Sequence, residues 1–158
     1  MSKHVLVYIR ASNCPQCLNF DRVVLPELRK QLQMKIEIVD VGELNNPKIP
    51  TGRPKGLEVF LWWFPTILVV ELDQWTKGTI DKLSVHVLNG VFVDDELTLV
   101  KKGNPNYVNY VVVKELLEWI SSSTKKKVSF TQTDIRETPK QEPTVCRKLK
   151  LYDRGLEV

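Results

Sequence analysis

Apolar residues gather in this chain either as unbroken runs or at helical spacing, and the switches between the two mark out its elements. His4-Val5-Leu6-Val7-Tyr8-Ile9-Arg10 is a continuous run of β-branched, aromatic and aliphatic side chains. Such a run suits a strand covered on both faces. After an Ala11-Ser12-Asn13 loop, Leu18, Val24, Leu25, Leu28 and Leu32 recur at helix-compatible spacing. Pro15 fits the first helical turn, where its missing N–H leaves no hydrogen bond unmade. Pro26 lies inside the same pattern and predicts a kink or a division of the helix. Residues 36–41 form a second strand, which completes a β–α–β unit. Residues 42–56, with Pro47, Pro50 and Pro54, predict a loop, and 54–64 a short helix ending before Pro65. Residues 66–72 are a third strand. After the intervening residues 73–83, residues 84–88 and 91–93 around Asn89-Gly90 predict a hairpin. A turn at Asp94-Asp95 leads to 96–100. Asn106 is the expected N-cap of a closing helix whose apolar stripe is Val112, Val113, Leu116, Leu117 and Ile120. The Val111-Val112-Val113 run weakens the local helix propensity there, so packing must supply much of its stability. The expected fold class is α/β, a mixed central sheet flanked by helices, with an enlarged β-hairpin region.

From Ser121 the apolar period stops. Ser121-Ser122-Ser123-Thr124-Lys125-Lys126-Lys127 and the later Pro139 and Pro143 predict a disordered C-terminal tail over 121–158, appended to a domain over 1–120. Residues 149–152 are a candidate docking segment within it. Charge divides the same way. Residues 1–120 hold 14 Lys+Arg and 14 Asp+Glu, and residues 121–158 hold 9 and 5, so the whole excess of +4 belongs to the tail. The domain therefore carries no net attraction for nucleic acid, and the basic run reads first as a solvated segment.

Three cysteines among 42% apolar residues do not suggest a disulfide scaffold. With no signal-peptide pattern and no apolar run of membrane-spanning length, the chain is expected in the cytoplasm or a similarly reducing compartment. There a Cys14-Pro15-Gln16-Cys17 turn is catalytic or metal-binding rather than structural. A cysteine at a helix N-terminus is expected to have a lowered pKa, and the thiolate is the attacking form. Cys14 is thus the candidate nucleophile and Cys17, one turn along, the resolving thiol. Two other readings stay open. A structural zinc site wants four N or S ligands, and only Cys146, His4 and His86 remain to complete one, without motif spacing. The cysteines can also belong to an interaction module that does not turn over. Cys146 lies beside Arg147 and Lys148, which favour a thiolate. Its plainer reading is an incidental exposed thiol, and a relay with the first two cysteines requires the tail to fold back.

Asn13-Cys14-Pro15-Gln16-Cys17 after the first strand, together with Phe64-Pro65-Thr66 before another, resembles the thioredoxin superfamily. That resemblance implies a thioredoxin-like fold and a cis peptide bond at Pro65. It implies that the backbone before Pro65 pairs with substrate, that Phe64, Thr66 and Asn13 flank the substrate, and that Pro15, Gln16 and Arg10 support the site. Phe64 is the best candidate for an apolar rim, whereas Trp62 and Trp63 read first as core. Arg10 can lower the Cys14 pKa if it reaches the site. The implied activity is exchange of disulfides with protein substrates and with a thiol or disulfide redox partner. It needs no cofactor beyond a redox-active Cys14–Cys17 disulfide, no metal and no membrane, and a monomer is expected. The expanded hairpin region resembles thioredoxin-like proteins of large DNA viruses more than cellular ones, which for a viral chain extends the expected location to the virion. Departures are Tyr8, where the family commonly has a buried acid, and Asn13, where it has tryptophan. Asp21 and Asp40 are the acids available in that place, although each reads first as a surface or strand-end carboxylate. Pro15 is similar to the glutaredoxin Cys-Pro-X-Cys motif, but no Gly-Gly glutathione motif follows.

Overall fold

The strand β1 (His4–Arg10) is central, with β2 (Lys35–Asp40) parallel on one side and β4 (Thr66–Glu71) antiparallel on the other. With β5 (His86–Leu88) beyond β4, these make a four-stranded mixed sheet of order β2-β1-β4-β5. The structure is a computed structural model; it describes residues 3–61, 63–88, 91–93, 109–111, 113–125 and 146–147, with the backbone alone at 63, 83, 91–93, 109–111 and 146–147.

The central position explains the unbroken apolar run of β1. Side chains alternate across a strand, so Val5, Val7 and Ile9 enter one core with Val39, Leu57, Phe60, Leu68, Val70 and Val87. Leu6 and Tyr8 enter the other with Phe20, Val24, Leu28, Ile67, Leu116 and Ile120. At about 1.5–3 kcal/mol for each fully buried aliphatic or aromatic side chain, both faces contribute strongly.

The helical segment after the cysteine turn has three parts. The helix α1 (Pro15–Asn19) passes into a π-helical turn over Phe20–Val24 and then into α2 (Leu25–Gln31). The Leu25 N–H donates to Phe20 O, five residues back. The division expected at Pro26 thus lies just before it. Pro26 occupies the first turn of α2, where it needs no donor, and the widened π turn absorbs the break.

The proline-rich stretch after β2 does form a loop, and it is pinned. Arg53 pairs with Glu37 at 2.8 Å and donates to Ile38 O at 2.7 Å, both on β2. Gly56 has φ +101, and a Cβ there would lie 2.2 Å from Ile80 O, so the close approach of these two segments requires glycine. The expected short helix is a single 3-10 turn, Leu57–Phe60, followed by β3 (Trp63–Phe64).

Three expectations need correction. The third strand ends at Glu71, and the helix α3 (Leu72–Lys77) follows it, closed by Gly78 at φ 84. The described strands do not form the expected hairpin: β5 pairs with β4, whereas β6 (Val91–Val93) pairs in parallel with β7 (Asn109–Val111). The Asn89-Gly90 turn, the 96–100 segment and the Asn106 cap lie outside the described residues. Residues 109–111 are strand rather than helix, because aromatic and β-branched side chains fit a pleated surface better than a helical turn. The closing helix α4 (Val113–Lys125) starts after them and runs past the composition change at Ser121. Val113, Leu116 and Ile120 of the expected stripe are buried, and Leu117 is half-buried. A two-residue strand, β8 (Cys146–Arg147), pairs antiparallel with β3. Residues 149–152 lie outside the described residues. Among the described residues, no helix is long and apolar enough to cross a membrane.

Candidate functional site

The turn between β1 and α1 is tied to the loop after β2. The Ser12 N–H donates to Gly42 O at 2.7 Å, and the Leu44 N–H donates to Asn13 Oδ1 at 2.9 Å. Asn13 is exposed, and its side-chain carbonyl is committed to that loop rather than turned toward a ligand. Cys14 then holds an extended backbone (φ −111, ψ 112) as the N-cap of α1. Its Sγ accepts the Cys17 N–H at 3.1 Å, the kind of side-chain capping that satisfies a free amide at a helix start. Pro15 and the half-buried Gln16 complete the turn.

Phe64 and Pro65 approach from β3. Their peptide bond is cis, and Cys14 Sγ lies 3.8 Å from Phe64 O. The Phe64 ring, 1% exposed, packs in the core that also contains Cys14, Cys17 and Leu61. The apolar rim expected of it is therefore absent, and Phe64 meets the site through its backbone. Thr66 is buried at the start of β4. The side chains of Trp62 and Trp63 lie outside the described residues. Leu18, beside Cys17, is instead 55% exposed, although its spacing suggested the helix's buried stripe.

Both sulfurs are buried. Cys14 is disulfide-bonded and Cys17 is a free thiol. The Cys14–Cys17 disulfide expected from the spacing is therefore not the one in this structure. Burial pushes the Cys17 thiol up to about 12, opposed by a hydrogen bond from the Ala11 backbone and by the Arg10 charge. Desolvation outweighs both because a thiolate loses its hydration in an apolar surrounding.

Behind Cys17 runs a polar chain that motif spacing did not reveal. The Tyr8 hydroxyl lies 2.6 Å from Asp21 Oδ1 and 3.1 Å from Cys17 O. It has one proton, and Cys17 O already accepts the Phe20 N–H, so the short contact to the carboxylate takes it. Burial first, then the neighbouring Cys17 and Asp21, hold the Tyr8 phenol well above its usual pKa. Arg10 pairs with Asp21 at 3.2 Å and also with Asp40. Its charge therefore acts on Cys17, where it favours the thiolate. Asp40 is the exposed strand-end carboxylate expected, at the close of β2, whereas Asp21, expected at the surface, is half-buried, and both pair with Arg10. The signal for Asp21 is its place one turn after Cys17; its hydroxyl partner, 13 residues upstream, has no local signature.

His4 opens β1 opposite Glu71, and His86 opens β5 opposite Val69. Among the described residues, no group of three or more His, Cys, Asp or Glu side chains is placed to hold a metal ion. No protein-family model, curated protein or solved structure matches the chain.

Proposed function

We propose that this chain is a thiol–disulfide oxidoreductase of thioredoxin-like fold that exchanges disulfides with protein substrates and a thiol or disulfide redox partner. The observation that carries the reading is the pairing of a disulfide-bonded Cys14 with a free, buried Cys17 whose own N–H is bonded to Cys14 Sγ. This is the arrangement of a nucleophile held in a disulfide next to its resolving thiol. The mixed sheet and the Cys14–Phe64-Pro65 juxtaposition support the fold assignment.

In the reducing direction, Cys14 thiolate attacks one sulfur of a substrate disulfide. A Cys14–substrate bond forms, and the other substrate sulfur leaves as thiolate. Cys17 then attacks Cys14 Sγ, forms Cys14–Cys17 and expels the first substrate sulfur. Two electrons pass from the dithiol to the substrate, and the protons of the two thiols end on the released thiols. The Cys17 N–H stabilises charge on Cys14 Sγ in the first step. In the second step, Tyr8, Asp21 and Arg10 hold polar groups against a thiol that gives up its proton reluctantly.

The test is reduction of insulin by the full chain with dithiothreitol as electron source. Cys14→Ser should abolish the activity, and a chain carrying both Cys17→Ala and Cys146→Ser should leave a substrate joined to Cys14. Retention of wild-type turnover by Cys14→Ser excludes the reading. The direction follows from the reduction potential, within the range of roughly −270 to −120 mV spanned by such dithiols.

A further inference from the structure

We propose that Cys146 is a third redox cysteine: held by β8 against Phe64, it is the partner of the Cys14 disulfide and passes that disulfide to and from the Cys14–Cys17 pair. This deepens the oxidoreductase reading and rests on it. Two independent observations lead here. The chain has three cysteines; Cys14 is disulfide-bonded and Cys17 is free, which leaves Cys146. Separately, the backbone register of β3 and β8 sets Cys146 directly opposite Phe64, the residue whose carbonyl lies 3.8 Å from Cys14 Sγ. A strand added along a short exposed edge is a common way for an extended segment to dock, with the main chain giving affinity and the side chains giving register. Here the docked segment belongs to the same chain.

The chemistry closes without an outside oxidant. Cys17, as thiolate, attacks Cys14 Sγ; the Cys14–Cys146 bond breaks, the Cys14–Cys17 bond forms, and Cys146 leaves as thiolate and takes up the proton that Cys17 released. One disulfide replaces another. Arg147 and Lys148, adjacent in sequence, favour the Cys146 thiolate and so make it a good leaving group. Electrons enter from an external dithiol. It attacks Cys146, expels Cys14 as thiolate, and then closes its own disulfide by expelling Cys146, so two electrons reach the chain. Cys146 is thus the port between the partner and the buried pair.

The experiment uses the full chain with Cys17→Ala, oxidised in glutathione disulfide, alkylated with N-ethylmaleimide and mapped by mass spectrometry without reduction. A tethered thiol presents itself at an effective concentration of about 1 mM or more, so at about 0.1 mM glutathione the Cys14–Cys146 cross-link should exceed glutathionylated Cys14 roughly tenfold. Glutathione on Cys14 with Cys146 alkylated overturns the proposal. In the wild-type chain the map should contain both Cys14–Cys146 and Cys14–Cys17. Finding Cys14–Cys17 alone overturns the hand-over and leaves the oxidoreductase reading intact. Finding Cys14–Cys146 alone removes the resolving role of Cys17, and both readings fall together. A Cys146→Ser chain reports on the underlying reading separately, since it should still form Cys14–Cys17.

Discussion

Replacing Tyr8 by phenylalanine removes a single oxygen from the centre of the polar chain behind Cys17. The ring should stay in place, because it is fully buried and its centroid lies 4.5 Å from that of Phe20, so no cavity of consequence opens. What is lost is the 2.6 Å hydrogen bond to the Asp21 carboxylate. Bonds to charged groups contribute about 1.5–3 kcal/mol. Two features reduce that figure here. The Asp21 side chain is 33% exposed and keeps its Arg10 partner at 3.2 Å, so the carboxylate is not stranded. Cys17 O keeps the Phe20 N–H. A net loss of about 1–2 kcal/mol is therefore expected. Urea unfolding is the assay; with a slope of about 2 kcal/mol per molar, the midpoint should fall by roughly 0.5–1 M at unchanged slope. A double-mutant cycle with Asp21→Asn isolates the pair and should return a coupling of about 1 kcal/mol. A coupling indistinguishable from zero would mean that the hydroxyl and carboxylate are neighbours without being partners, and the account of the polar chain would be wrong.

Because burial raises the Cys17 thiol to about 12, native Cys17 in the unreduced chain stays protonated at neutral pH. Its alkylation rate should climb about tenfold per pH unit from pH 8 past pH 10, and a plateau near the usual thiol value of about 8.5 would refute the assignment. Gly56→Ala forces a side chain onto Ile80 O at a left-handed φ, and thermal unfolding should show a loss of about 2 kcal/mol or more; an unchanged midpoint would mean the two segments are not so close. Burial opposes ionisation of Glu37, but hydrogen bonds from Lys35 and Arg53 win and hold its carboxyl below the usual range. A depressed carboxylate stabilises above its unfolded pKa, and the contribution disappears as pH falls through the folded value. Arg53→Ala should therefore cost about 1 kcal/mol at pH 7 and progressively less below about pH 4 in urea titrations; a pH-independent difference counts against an ionic origin.

Local patterns served where the cause is local. An apolar run covered on both faces, a proline in the first helical turn and a proline-rich loop all follow from rules that act within a few residues. They placed β1, β2 and the cysteine turn closely. The helix α3 was missed because Leu72-Asp73-Gln74-Trp75-Thr76-Lys77 buries no residue fully and so carries no apolar stripe. The Asn89-Gly90 signal suggested a hairpin, but pairing is decided by distant strands, and β6 found β7. At the site, residue types and spacing pointed to Cys14 and Cys17. The links of Tyr8 to Asp21 and of Arg10 to Asp40 span 13 and 30 positions and depend on how β1 lies against the helical segment and against β2. The side chain of Phe64 shows a similar limit: its place beside Pro65 suggested contact with a ligand, whereas its apolar character drew it inward.

The pinning of the loop by Arg53 also bears on how molecules of this chain meet one another. Among the described residues β2 is an outer strand of the sheet, and outer strands offer unpaired N–H and C=O groups to any passing strand. Arg53 occupies one of those carbonyls, at Ile38, and carries a charge to the same edge while holding Glu37 there. A second sheet that tried to extend this one would have to dislodge a bonded guanidinium and accept a buried ion pair at the seam. The loop thus keeps the sheet from growing past its own strands, a guard against aggregation in a stretch whose composition suggests only irregular connection.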